Sequence, residues 1–456
     1  MIKCLKKYEF DHVVNQARSV ELQIGGKDYI LFCVSQNKGL DPWPEAFGYI
    51  DYPLSMVMFD KEGNKIWTRT FGRGTIPGVW FTPFIAFDLD KDGMDEIYFV
   101  HNLDDECPFS QYNTYLEKIN PKNGETMELY KFPAENTEED KMAYSFRHNL
   151  SAGYVHGEPV LITEQGTYKD MYLQAYTTGM TPYWERVIKN EDKGCRASHH
   201  INIYDYNHDG VDEMYYGERM ISMETGEDLA CFDEDTFRGH SDIVIPFYDD
   251  NGRYLLYTCR ENGNYIGCDR VVMFDIEGNS VWRQLKAVND TAENHIHRGW
   301  LATVKPNYKK IAFASGLTEG TKHQVATEYV FDAMTGEEIE FKLPCKLSST
   351  YPIDVNGDGY QEFFEHGKGT IYDSEGNVLA ELGEDASMMK GAKMLGFKGE
   401  QLMIRRTGQN VVEIWGDDEA VESERFRKRH EKGFQKHMAK LAGAGYNHGV
   451  SISGAM

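Results

Sequence analysis

Residues 55–69, SMVMFDKEGNKIWTR, read as a strand, a tight turn at Gly63 and a second strand. The flanks are rich in β-branched, aromatic and long apolar residues. The glycine supplies the positive φ that a two-strand turn needs. The same pattern returns at 115–130 (YLEKINPKNGETMELY, Gly124), 172–187 (YLQAYTTGMTPYWERV, Gly179) and 219–232 (RMISMETGEDLACF, Gly226). It continues at 270–284 (RVVMFDIEGNSVWRQ, Gly278), 327–341 (TEYVFDAMTGEEIEF, Gly336) and 369–382 (GTIYDSEGNVLAEL, Gly376). The turn glycines lie roughly 40 to 61 residues apart, the repeat length of propeller blades.

Two further strand-like runs precede most hairpins, as in SVELQIGG and KDYILFCVS before the first. Four strands per unit make a propeller blade. An eighth copy at 410–426, NVVEIWGDDEAVESERF, keeps the strand pattern without the turn glycine, and 391–397 with 400–406 supply strands before it. The reading is an all-β protein, a single β-propeller over residues 1–456 with eight blades, seven being the alternative. No Pro/Ser-rich linker divides the series. The tail around FRKRHEKGFQKHMAKLAG predicts a short helix lying on one face.

Composition narrows the partners. A formal net charge of −25 over 456 residues, with no basic stripe, excludes nucleic acid as the expected ligand. Residues 1–14 carry no apolar run of signal-peptide length, and no stretch approaches the ~20 apolar residues of a membrane span. These features predict a cytoplasmic protein with no membrane partner. The eight cysteines are scattered and are expected as free thiols. Cys259 and Cys268 with nearby histidines match no standard zinc spacing.

Three segments share one spacing of oxygen-bearing residues: Asp88-Leu-Asp90-Lys-Asp92-Gly-Met-Asp95-Glu96, Asp205-Tyr-Asn207-His-Asp209-Gly-Val-Asp212-Glu213 and Asp354-Val-Asn356-Gly-Asp358-Gly-Tyr-Gln361-Glu362. Each leaves one strand and enters another. Oxygen ligands at positions 1, 3 and 5 before a glycine turn suit a hard cation, so Ca2+ is the expected cofactor. The acid at position 9 between strands excludes an EF-hand, which places its Glu at position 12 between helices. The first loop has the most carboxylates, whereas the third carries Gln361 in place of an acid. Asx turns alone explain one such loop; three copies at identical spacing favour metal.

Residues that break the repeat mark the candidate site. RHNLSAG (Arg147, His148), GCRASHHINIYD (Arg196, His199, His200), FRGHSDIVIPF (His240, Asp242) and ENHIHRGWLATV (His295, His297, Arg298, Trp300) each fall at the start of a run read as a blade's innermost strand. Four blades then direct His and Arg to one channel mouth. Tyr168, after a Gln-Gly turn, and the run YTCREN (Cys259, Arg260, Glu261) are further candidates.

These residues carry a family likeness. SHHINIYDYNHDGVDEMYYGERMIS followed by GHSDIVIPF resembles the rhamnogalacturonan lyases, a family of calcium-binding, eight-bladed propellers. HRGWLATVKPNYKKIAFASG resembles their Arg-Gly strand opening, and IRRTGQNVVEIW with the tail GAGYNHGVSI resembles their last blade. Ser241 stands where the family has a second glycine. The wider group includes propeller lyases acting on ulvan and on rhamnose-capped glucuronate chains, and a propeller α-L-rhamnosidase.

The resemblance implies a polysaccharide lyase that cleaves next to a uronate in rhamnose-containing oligosaccharides by β-elimination. On that reading His148 or His199 is the base and Tyr168 the acid, and Arg196 and Arg298 pair with the substrate carboxylate. His200, His240, His297, Arg260 and Trp300 complete the sugar pocket. An α-L-rhamnosidase-type hydrolase and a non-catalytic sugar-binding propeller are the alternatives.

Overall fold

The computed structural model describes residues 1–42, 50–133, 142–199, 201–262, 268–286, 295–317 and 326–431. Among these the strands form eight antiparallel sheets, seven of four strands and one of three. The eight-bladed propeller is the fold. The innermost strands, in order, are Gln16–Ile24, Phe84–Phe87, His148–Val155, Ile201–Tyr204, His240–Tyr248, Ile296–Val304, Thr350–Ile353 and Ala386–Ala392. Each of the first seven touches the innermost strand of the next blade. Burial follows this radial order. All nine residues of His240–Tyr248 are buried, whereas the outer strand Thr126–Lys131 has none buried. Apolar clusters fill the spaces between blades.

The eighth copy lacks a hairpin glycine because its fourth strand is not next in sequence. Ile2–Glu9, at the start of the chain, pairs antiparallel with Val411–Asp417 and completes that blade. The innermost strand of this blade is Ala386–Ala392 rather than the expected 391–397. Residues 393–400 instead form its first connecting loop, where Gln401 Oε1 accepts from Met394 N at 2.7 Å. In the sixth blade the expected outer strand is reduced to a bridge between Phe331 and Glu338 and the Ile339 N to Val330 O bond.

The outer hairpins also join neighbouring blades. The Trp282 ring of blade five lies against the turn of blade six, so close that a Cβ at Gly336 would fall 2.6 Å from it. Its Nε1 donates to Ala333 O at 2.9 Å, and Gln284 Nε2 donates to Gly336 O at 2.8 Å. Trp184 and Arg186 repeat the arrangement on the Gly226 turn, and Trp67 and Arg69 on the Gly124 turn. The Trp-x-Arg/Gln of three hairpins is thus a between-blade clasp.

Antiparallel pairing decides which ends of the blades share a face. Loops between first and second strands and the glycine turns lie at one end. Starts of innermost strands and loops between second and third strands lie at the other. The three Asp loops therefore sit on the face opposite the His- and Arg-bearing strand starts. The C-terminal helix Glu424–Glu431 lies on the Asp-loop face, against the third loop. Among the described residues no helix is long and apolar enough to cross a membrane.

Candidate active site and Asp loops

Blades three to six each bring an innermost-strand start to the face opposite the Asp loops. The strand of blade five places His240 and Asp242 two residues apart, hence on one side. A break in pairing register on either side of Ser241 turns that residue away, to Glu218 Oε1 at 2.7 Å. Such bulges re-aim side chains beside functional sites. A parallel bridge between Ser198 and Ser241 then sets His199 of blade four next to His240.

The result is a buried cluster centred on Asp242. His199 Nε2 and His240 Nε2 lie 3.0 and 3.1 Å from Asp242 Oδ1, and 3.2 Å from each other. His297 Nδ1, from blade six, is 2.6 Å from Asp242 Oδ2. Glu261 stands behind, 3.8 Å from His240 Nε2, 3.7 Å from His297 Nδ1 and 3.9 Å from His295 Nδ1. Tyr168, on the loop after the second strand of blade three, meets the His240 ring edge to face at 4.9 Å. Arg147 lies over the rings of Trp80 and Tyr168, at 4.6 and 5.0 Å, and pairs with Asp41 at 3.2 Å.

Burial opposes ionisation of Asp242, but the contacts of His199, His240 and His297 outweigh it and hold the carboxyl well below its usual range. Burial, with His240 nearby, pushes His199 down to about 3, so its ring is neutral. Burial also works against His297, yet the hydrogen bond and charge of Asp242 raise it overall. Burial and the Asp242 charge raise Glu261. Burial raises Tyr168 despite Arg147, so the phenol keeps its proton.

His240 Nδ1 faces the Ala197 carbonyl, which can only accept, so the proton is assigned to Nδ1. His240 Nε2, His199 Nε2 and Asp242 Oδ1 converge on one point, where either a ring N–H donated to the carboxylate or a cation shared by all three satisfies the contacts. Ligand atoms of His199, His240 and Asp242 lie close enough to share one metal ion, as do those of Glu261, His295 and His297. Nitrogen and oxygen donors spaced at 3.0–3.2 Å fit an ion bound at about 2.0–2.2 Å.

The structure places the other expected site residues elsewhere. His148 opens its strand as expected, but its ring packs between Phe132 and Phe146, and burial holds it at about 3. Its neighbour Arg147 faces the cluster instead, because consecutive strand residues point to opposite sides. Arg196 donates to the carbonyls of Lys169, Lys189, Asp192 and Gly194 and braces a loop. Arg260 is buried in ion pairs with Glu218 and Asp233. Trp300 is buried and stacked on Phe313 at 4.7 Å, so it offers no face to a sugar. Arg298 is exposed beside His297, with Nη1 on Ser348 O at 2.6 Å. His200 lies outside the described residues. Cys259 contacts Tyr257 and Cys268 contacts Thr236 O, in separate apolar clusters rather than a zinc site. The His240-x-Asp242 alternation was the signal for Asp242; nothing in the sequence singled out Trp80.

On the opposite face, Asp88, Asp92 and Glu96 of the first loop bring carboxylate oxygens within 4.8 Å of one another, as do Asp205, Asp209 and Glu213 of the second. These are positions 1, 5 and 9. The position-3 residues stand apart: Asp90 pairs with Lys118, and Asn207 Nδ2 donates to Glu213 at 3.1 Å. Glu96 is fully buried, and its Oε1 has no hydrogen-bond partner among the described residues. Burial, with the neighbouring aspartates, raises Glu96 to about 7 and Glu213 to about 8. The donor set of both loops fits a hard cation. The third loop differs: Asp354 pairs with Arg429 at 3.0 Å, and Gln361 Oε1 accepts from Thr303 N at 2.5 Å.

No family model matches the sequence. The chain is 24% identical over 402 residues to rhamnogalacturonan exolyase YesX of Bacillus subtilis (strain 168). That alignment covers 78% of this chain, which spans 63% of the relative's length. Among solved structures, exotype rhamnogalacturonan lyase YesX superposes with a TM-score of 0.76, at 17% identity over 99% of this chain and 82% of that one. The Bacillus licheniformis rhamnogalacturonan lyase PL11 gives the same values, and YesW gives 0.75. At these identities the structural likeness is one of fold. The resemblance read from the sequence points to the same proteins.

Proposed function

We propose that the chain is a polysaccharide lyase. It cleaves rhamnogalacturonan-type chains beside a uronate by β-elimination, at the cluster centred on Asp242. The observation that carries this is the hydrogen bond of His297 to Asp242 within a group of four histidines and two acids. The names of its relatives support the substrate class.

Elimination removes the proton α to the uronate carboxyl. The C–H electron pair forms the new ring double bond, the bond to the glycosidic oxygen breaks, and that oxygen takes up a proton. His297 suits the first step. Its Nδ1 is engaged by Asp242, so Nε2 is left to accept a proton, and the ring is partly exposed. Asp242 orients the ring and stabilises the imidazolium that forms. Tyr168, still protonated, suits donation to the leaving oxygen. Arg298, beside His297, is placed to meet the substrate carboxylate, where negative charge grows in the transition state. A divalent ion on His199, His240 and Asp242 would add positive charge to that carboxylate.

Calcium in the first two Asp loops belongs to the same reading, in a bracing role on the opposite face. A hydrolase of the two-carboxylate kind needs an acid pair flanking the bond. The two acids of the cluster, Asp242 and Glu261, both lie against its histidines, and Asp242 is enclosed by three of them rather than open to a bond.

The test is incubation with rhamnogalacturonan oligosaccharides while ultraviolet absorbance is followed. A lyase yields an unsaturated, absorbing product. New reducing ends without absorbance would instead indicate hydrolysis, and neither signal would indicate a binding protein.

A further inference from the structure

The third Asp loop differs from its two counterparts in what lies against it. Residues 421–430 of the C-terminal segment run directly over it. Val421 N donates to Asn356 O at 3.1 Å, and Ser423 N donates to Gly357 O at 2.8 Å. Arg429, only 1% exposed, places Nη2 3.0 Å from Asp354 Oδ2 and 3.0 Å from Glu400 Oε1. His430 Nε2 adds a 3.0 Å contact to the same Glu400 oxygen.

The loop itself is altered to admit this segment. Its fourth position is Gly357, where the first loop has Lys91 and the second His208, and all three residues have positive φ. A Cβ at Gly357 would stand 3.2 Å from Glu422 Cα, tighter than ordinary contact. The side chain present in the other loops is therefore missing where the tail passes. Further along the tail, Arg425 reaches Asp250 of blade five at 2.9 Å, and Glu422 pairs with Lys393 of blade eight. The segment thus ties loops of blades five, seven and eight on one face.

We propose that Arg429 is the resident cation of the third Asp loop, a guanidinium in place of an ion, and that removing it turns the loop into a calcium site. A buried carboxylate such as Asp354 needs a positive partner. A planar guanidinium bridging Asp354 and Glu400 supplies one without metal. Asp354 Oδ1, fully buried, has no hydrogen-bond partner among the described residues and remains as a free ligand atom. The inference rests on the calcium reading of the first two loops, so the experiment reads the two separately.

Bound calcium per chain is measured by equilibrium dialysis for the wild-type protein, D92A, D358A and R429Q, with melting curves in chelator and in calcium chloride. The expected result is one ion fewer in D92A, no change in D358A and one ion more in R429Q. In R429Q, melting should be lower than wild type in chelator and should recover more on adding calcium. An unchanged count in D92A counts against the calcium reading of the first loop. Loss of an ion in D358A, or no gain in a folded R429Q, overturns the role of Arg429. Should R429Q fail to fold, the D358A count still decides.

Discussion

Asp242 Oδ2 accepts a 2.6 Å hydrogen bond from His297 Nδ1, joining the innermost strands of blades five and six at one face of the propeller. The pair gives the cluster a polarity. The carboxylate is buried, whereas the imidazole is 35% exposed and has its second nitrogen free of Asp242.

His297→Ala should therefore lower kcat/KM by roughly 10²- to 10⁴-fold, the range for loss of a general base. Its melting temperature should fall modestly, because buried Asp242 loses one hydrogen bond while His199 and His240 remain against it. Retention of more than about a tenth of wild-type kcat/KM would remove His297 from that role.

His148 serves as the contrast. Its ring is held neutral in the fold at about 3 against an ordinary value of 6.5. A His lowered in this way contributes stability that is complete above 6.5 and is lost as pH falls from 6.5 toward 3. His148→Leu should flatten the acid side of the stability curve by about 1.4 kcal/mol per pH unit over that window. It should leave turnover at neutral pH essentially intact. A large loss of turnover in a folded H148L would restore the catalytic reading of this residue.

Chelator should lower the melting temperature, and calcium should restore it, since an ion that binds only the native state adds about 2.7 kcal/mol at a hundred times its Kd. Asp92→Ala and Asp209→Ala should each remove part of that shift. Identical melting curves with and without chelator would count against calcium in these loops.

The between-blade clasps give a prediction about the scaffold. Trp282 is buried against the Gly336 turn, and Trp282→Ala should cost about 3–5 kcal/mol in denaturant unfolding. Trp67→Ala, at a half-exposed copy of the clasp, should cost less. Equal costs would show that burial at this position does not set its contribution.

The sequence by itself determined the propeller and the strand starts that carry its histidines and arginines. Turn glycines at a blade-length interval, paired strand runs and three identically spaced Asp loops are local features, and local backbone rules suffice to read them. They placed His148, His199, His240 and Arg298 at the starts of four consecutive innermost strands. Which side chains face one another was decided only by the tertiary structure. Strand side chains alternate, so a one-residue difference separates Arg147, which faces the cluster, from His148, which is packed in the core. Breaks in register around Ser241 and between Ile296 and Arg298 set the aim of His240 and His297, and such breaks depend on the partner strand. Arg260 was claimed by Glu218, 42 residues away in sequence, and the third loop by Arg429, 75 residues away. Charges buried this deeply are fixed by whichever opposite charge the fold brings within reach, and sequence spacing does not carry that information.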